Sequence, residues 1–277
     1  MTVYQFQIMR IIFTTLIILL SIKVNAQEYK HKGSLIIIGG GDTPDTIYNL
    51  FAQKIGGKDM LIVYIPTATD DEPWIQAGEH LKKFTSRGFT NLKTLHTRDR
   101  KKADEPEFSD MIKSAKGIFI GGGDQENLAK AYAGTATLQA MHDFLDRGGV
   151  IMGTSAGATI MGSLMIGGDH RKAPHVSKSF GEGFSFMKQT AIDQHVLLRN
   201  RQFDLVPVLE KYPNIFGMAL DESTAALVEG DSIKVVGNSY MLIFDQKDWN
   251  KQRIDWGRVY QPFKMFSSGK VYAIRKN

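Results

Sequence analysis

Val150-Ile151-Met152-Gly153-Thr154-Ser155-Ala156-Gly157-Ala158 sets an apolar run ahead of a serine that has a glycine two residues away on each side. Gly149 to Met152 reads as a buried strand and Ala158 to Leu164 as helix-like, so Ser155 falls in a strand–turn–helix context. In that context G-x-S-x-G is a nucleophile elbow. A sharp, strained turn needs residues without Cβ around it, and it lifts the Ser155 hydroxyl to the carboxyl edge of a sheet. The helix that follows adds its positive end and free N–H groups, that of Ala156 included, which can stabilise an oxyanion. The same residues would also suit a plain small-residue turn in any α/β protein, so the elbow has to be weighed with the rest of the chain.

The surrounding sequence supplies an α/β frame. Ser34 to Ile38, Met60 to Ile65 and Gly117 to Ile120 are further short apolar runs bounded by glycine or polar residues. With Gly149 to Met152 they read as buried parallel strands. Asp45 to Lys54, Trp74 to Arg87, Glu107 to Ala115, Asp124 to Tyr132 and Thr137 to Arg147 are helix-like. Strand, helix, strand at this interval predicts a doubly wound, mostly parallel sheet with helices on both faces. Farther on, Ala225 to Val228, Ser232 to Val236 and Ser239 to Phe244, separated by Gly230-Asp231 and Gly237-Asn238, predict a short antiparallel C-terminal extension. No repeat, low-complexity run or shift in composition divides the chain, which predicts one domain over residues 27–277.

The 277 residues are 43% hydrophobic and 23% charged, as in globular proteins and unlike disordered, collagenous or multi-span membrane chains. Cysteine is absent, which removes disulfides, thiolate metal sites, iron–sulfur ligation and a cysteine nucleophile together. Residues 1–26 stand apart. Arg10 precedes the apolar run Ile11 to Ile22, and Lys23 leads into the small-residue pattern Val24-Asn25-Ala26, the shape of a secretory signal. About a dozen apolar residues fall short of the roughly 20 that span a bilayer, and no cysteine follows to carry a lipid. The mature protein is therefore expected to be exported, periplasmic or secreted, without stable membrane insertion. The leader holds two of the 34 basic residues, which leaves 32 against 29 acidic and lowers the net charge from +5 to +3. With so small a surplus, and Arg98-Asp99-Arg100-Lys101-Lys102 read as a solvated loop, no nucleic-acid partner is expected.

Two more segments carry chemistry. Ile120-Gly121-Gly122-Gly123-Asp124-Gln125-Glu126-Asn127-Leu128 again runs from a strand end into a helix. Its glycines let backbone amides approach a ligand, Asp124 suits an N-cap, and Gly122 and Gly123 can donate to a carbonyl oxygen attacked by Ser155. Gly39-Gly40-Gly41-Asp42 repeats the theme after the first strand. It lacks the third glycine of G-x-G-x-x-G and the lysine of a P-loop, and reads as a tight turn without a ligand. Asp193-Gln194-His195-Val196-Leu197-Leu198-Arg199-Asn200-Arg201 holds, among seven histidines, the one best furnished as a general base. It has a carboxylate two residues away and two arginines close behind to meet a peptide's carboxylate. His170, His175 and the others show neither H-E-x-x-H nor H-x-H spacing, and no metal or cofactor is expected.

Taken together, GTSAGA at 153–158, GGGDQ at 121–125, the D-Q-H-x-x-x-R-x-R run and Gly217-Met218-Ala219-Leu220-Asp221-Glu222-Ser223-Thr224-Ala225 resemble peptidase family S51. Those are serine exopeptidases that include cyanophycinase and the aspartyl dipeptidase. The resemblance spans about Ser34 to Phe244. It implies a fold similar to the class I glutamine amidotransferase domain, flavodoxin-like, with serine at the elbow in place of cysteine. It further implies Ser155 as nucleophile, His195 as base and Glu222 as the acid that orients the histidine. Asp169, nearer the position where the dipeptidase branch places its acid, and Asp193 remain alternative acids. Gln125, Asp193, Gln194, Arg199 and Arg201 fall where the cyanophycinase branch binds its β-aspartyl-arginine substrate. Two positions depart from that branch: Asp204 stands in place of a further arginine, and Val196 in place of an aromatic residue. An anion beside a substrate-carboxylate site opposes binding of the same ligand, so cyanophycin itself is not the expected substrate.

The reading that results is an exported serine exopeptidase acting on short acidic or β-aspartyl peptides through an acyl-enzyme, with a homodimer as a compatible assembly. Its rival is a catalytically inactive peptide-binding protein on the same scaffold. An esterase of the α/β-hydrolase type needs a histidine near the C-terminus, and none follows His195. An amidotransferase that uses ammonia needs the absent thiol.

Overall fold

The computed structural model describes residues 29, 31–167, 181–245 and 262–274. The expected leader, Asp169, His170 and His175 lie outside the described residues.

The apolar runs become the middle of a mixed eight-stranded sheet. β1 (Ser34–Ile38), β2 (Ile62–Ile65), β3 (Leu92–Thr94), β4 (Gly117–Ile120) and β5 (Val150–Thr154) are parallel, in the spatial order β3-β2-β4-β5-β1. All residues of β1, β2, β4 and β5 are buried, as strands covered on both faces must be. β3 contains a single apolar residue and sits at the sheet edge, which is why periodicity does not reveal it.

Three of the longer helices cover the two faces: α1 (Asp45–Ile55), α2 (Gln125–Tyr132) and α3 (Ala136–Asp146). Side chains alternate along each strand, and the core divides accordingly. Ile36, Ile38, Ile62, Tyr64, Phe119 and Met152 pack with Ile47 and Phe51 of α1. Leu35, Ile37, Val63, Ile65, Ile118 and Ile151 pack with Leu128 of α2 and Met141 and Phe144 of α3. This is the expected doubly wound α/β arrangement.

Beyond β1 the sheet continues antiparallel through β10 (Thr224–Glu229), β11 (Ser232–Gly237) and β14 (Val271–Ala273). Two of the three expected extension strands are therefore in place, and the third is not. β12 (Tyr240–Phe244) joins a second sheet because β14 already occupies the free edge of β11. That second sheet, not anticipated from the sequence, has the order β13-β12-β9-β8-β6-β7. Its other members are β6 (Gly162–Met165), β7 (Gly181–Glu182), β8 (Met187–Gln194), β9 (Phe216–Leu220) and β13 (Lys264–Ser267).

Local expectations give way in three places. The helix expected over Trp74 to Arg87 is cut into turns at Glu72–Gln76, Glu79–Leu81 and Lys82–Thr85, with Gly78 at φ 71° between the first two. The helix after the elbow is only α4 (Ala156–Thr159), because Gly162–Met165 turns into β6 and pairs with β8. Arg98 to Lys102 is exposed throughout, as expected, but it is not all loop: Asp99 caps a helical turn, Arg100–Ala103, and Arg98 Nε donates to Glu72 at 2.7 Å.

Candidate active site

The carboxyl ends of β1, β4 and β5 lie side by side, and their loops build one edge of the sheet. Ser155 leaves β5 with φ 54° and ψ −116°, a conformation that an L-residue adopts only under constraint. Methyl groups on Gly153 and Gly157 would overlap the carbonyl oxygens of Gly157 and Ile120 respectively, so the elbow glycines serve close backbone approach, as expected of an elbow. The β4 loop borders the serine: a methyl on Gly122 would stand 3.3 Å from Ser155 Cβ and 3.8 Å from its Oγ. Among the described residues, the N–H groups of Gly122, Gly123 and Ala156 have no hydrogen-bond partner.

The β1 loop addresses the other segments in succession. The carbonyl of Ile38 accepts from Ser155 N–H at 3.0 Å, that of Gly39 from His195 N–H at 2.9 Å, and that of Gly40 from Ser223 N–H at 3.0 Å. Three consecutive carbonyls thus fix the backbones of a serine, a histidine and the neighbour of a glutamate. The side chains meet accordingly. Ser155 Oγ lies 2.9 Å from His195 Nε2, and His195 Nδ1 lies 2.5 Å from Glu222 Oε1. An ionised Glu222 only accepts, so Nδ1 carries the proton and Nε2 turns its lone pair to the serine hydroxyl. That is the orientation a general base requires.

His195 is 6% exposed. Burial lowers its pKa below the ordinary imidazole value against the opposing effect of the hydrogen bond that Nδ1 donates to Glu222, and the charges of Arg199 and Arg201 act in the same direction as burial. The imidazole therefore stays neutral, able to take a proton, at pH values where a free histidine is already charged.

The remaining sequence candidates divide. Asp193 does not face the imidazole: its Oδ1 accepts from Arg201 Nη2 at 2.8 Å and from the Gln194 N–H at 2.8 Å. Arg201 is turned inward at 9% exposure, and its Nε donates to Asp204 Oδ2 at 3.0 Å. Asp204 thus pairs with Arg201. Val196 is fully buried among Ile166, Ala191, Leu205 and Val208, facing core. Gln125 is 1% exposed, and its Nε2 donates to the carbonyl of Ile166 at 2.7 Å. Gln194 is 5% exposed, and its Oε1 has no hydrogen-bond partner among the described residues. Arg199 is exposed on the turn that follows His195. The β1 glycines, expected to form only a tight turn, belong to the site as well. Their one signal in the sequence is the repeated G-G-G-D at the end of β4, which lies on the far side of β5.

Because Asp193 is wholly buried, replacing Arg201 by methionine removes a cation that compensates it and is expected to cost about 3–5 kcal/mol of stability. A urea titration would read this as a lower midpoint. A binding-only role for Arg201 would instead leave the midpoint in place and raise KM.

A mixed, mostly parallel α/β sheet that presents a strained serine to a buried histidine is the arrangement of a serine-type hydrolase. The family model for peptidase family S51 matches residues 28–236. Among curated proteins, the chain is 31% identical over 221 residues to a cyanophycinase from Geminocystis herdmanii (strain PCC 6308), covering 77% of this chain and 81% of that one. It is 30% identical over 267 residues to a cyanophycinase from Synechococcus elongatus, covering 91% and 83%. Among solved structures, a peptidase from an acI-B1 actinobacterium superimposes with a TM-score of 0.68 at 22% identity, over 89% of this chain and 98% of that one. The chain belongs to peptidase family S51 and is a serine peptidase, cyanophycinase-like in sequence.

Proposed function

We propose that this chain is an exported serine exopeptidase that hydrolyses short acidic or β-aspartyl peptides, with Ser155, His195 and Glu222 as its triad. The unbroken hydrogen-bonded series Ser155 Oγ, His195 Nε2, His195 Nδ1 and Glu222 Oε1 carries this reading. As Oγ attacks the peptide carbonyl carbon, Nε2 takes the hydroxyl proton, and the developing imidazolium is held by Glu222. The oxyanion is received by the N–H groups of Gly122, Gly123 and Ala156. His195 then returns the proton to the departing amine, the acyl group stays on Oγ as an ester, and a water deprotonated by His195 releases it.

The substrate class rests on different residues. Its support is the likeness to cyanophycinases, the buried Gln194 Oε1 as an acceptor for a substrate N–H, and the exposed Arg199 as the cation for a carboxylate. With Arg201 drawn between Asp193 and Asp204, the run offers less positive charge to a ligand than its sequence suggests, which favours small peptides over cyanophycin. Export is inferred from the leader pattern of residues 1–26.

The test is a digest of a dipeptide library that compares α- and β-aspartyl bonds with neutral ones, with chain-end and internal positions scored separately. Acidic and β-aspartyl members at a chain end are expected to be cleaved fastest. On the best of them, kcat/KM is expected to rise with pH along a limb centred below about 6.5, the usual imidazole value, because the lowered pKa of His195 keeps the base unprotonated there. No hydrolysis of any member, together with no labelling of Ser155 by a fluorophosphonate, would instead identify a silent binding protein.

A further inference from the structure

We infer that Asp221 is the positioning residue that keeps the His195 turn aligned with Ser155; the inference rests on the catalytic reading of His195 above. His195 has φ 56°, and the chain after it closes a tight turn in which Arg199 N–H donates to the His195 carbonyl at 3.0 Å. The opening of such a turn leaves backbone N–H groups without partners, normally met by the side chain of the first residue. His195 holds that place and cannot serve, since its ring is committed to Ser155 and Glu222.

Asp221 supplies the missing acceptor from another strand end. Its Oδ1 accepts from Leu197 N–H at 3.1 Å and Leu198 N–H at 3.0 Å, the groups two and three residues beyond the histidine. Its Oδ2 accepts from Ser239 Oγ at 2.7 Å, and its own N–H donates to the carbonyl of Tyr240 at 3.1 Å. Asp221 is 8% exposed and anchored on β12, a fixed point for a turn under strain. The two adjacent acids thus have separate roles: Glu222 orients the imidazole ring, and Asp221 holds the backbone that carries it.

The experiment measures kcat, KM and the fluorophosphonate labelling rate of Ser155 for the full chain and for Asp221→Ala, Asp221→Asn and Ser239→Ala. Asp221→Ala is expected to lower kcat and labelling about 100-fold with KM within about 2-fold, as for a misplaced catalytic group. Asp221→Asn keeps an acceptor oxygen but loses the charge that strengthens its bonds, and is expected to recover about tenfold of that loss. Ser239→Ala, which keeps the carboxylate, is expected to fall only a few-fold. Wild-type kcat in a folded Asp221→Ala would overturn the inference. Should that variant not fold, wild-type rates in both Asp221→Asn and Ser239→Ala would overturn it. An inert wild-type chain would instead count against the proposed function, so the two failures are distinct.

Discussion

Replacing Ser155 by alanine is expected to lower kcat/KM for the best dipeptide by about 10⁴-fold or more, the scale on which triad members act. The fold should be unaffected. The change deletes one oxygen whose hydrogen bond runs to His195 Nε2, while the elbow backbone is held by Ile38 and by the glycine contacts. His195→Ala is expected to cost a similar factor, and the double variant little more than either, because groups that act as a unit do not add. Glu222→Gln tests the acid. The amide can still accept from Nδ1 or, turned over, donate to it and install the wrong tautomer, so a loss of about 10²–10⁴ is expected. A Glu222→Gln enzyme at full rate would move the role to another carboxylate, Asp169 being the remaining sequence candidate. Ser155→Ala with undiminished hydrolysis would remove the serine mechanism altogether. Steady-state rates and thermal melts on the same preparations decide between these outcomes.

How much of this is legible in the sequence depends on the range of the interaction. The four central strands, the glycine elbow and the Asp124 cap announce themselves locally, through apolar runs and residue types within a few positions. β12 reads just as clearly as a strand, yet its partner does not, because the competitor for the edge of β11 lies at Val271–Ala273, more than thirty residues onward. Arg201 illustrates the same limit for the site. Its charge suggests a ligand, whereas its neighbours in space are Asp193 and Asp204; three or eight residues of separation along the chain say nothing about which way a guanidinium turns. Glu222 is reached by resemblance, and only folding brings it across 27 residues to His195. Asp221, beside it in sequence, carries no local signal at all, since Oδ1 is met by backbone amides, which every residue but proline has, and Oδ2 by Ser239, 18 residues onward.

The β1 loop offers the sharpest test of the assembled site. Gly40 has φ 107°, and a methyl there would overlap His195 Cε1 while standing 2.6 Å from Nε2 and 2.8 Å from Nδ1. Gly40→Ala therefore meets two obstacles. The backbone conformation costs on the order of 1–3 kcal/mol for an alanine, and the imidazole must shift to make room. A displacement of about 1 Å at a catalytic group is enough for a loss of about 10²-fold, and both ring nitrogens are affected here, so kcat is expected to fall by at least that factor. Backbone strain alone is controlled by Gly148→Ala: that glycine has φ 95° with nothing within 4 Å of the added methyl. It should lose stability to a similar degree and keep its rate. If Gly40→Ala and Gly148→Ala melt alike and turn over alike, the imidazole tolerates the intrusion and the glycine loop is only a turn. If only Gly40→Ala is silenced, the carbonyls of Ile38, Gly39 and Gly40 are the template on which serine, histidine and glutamate are brought into line.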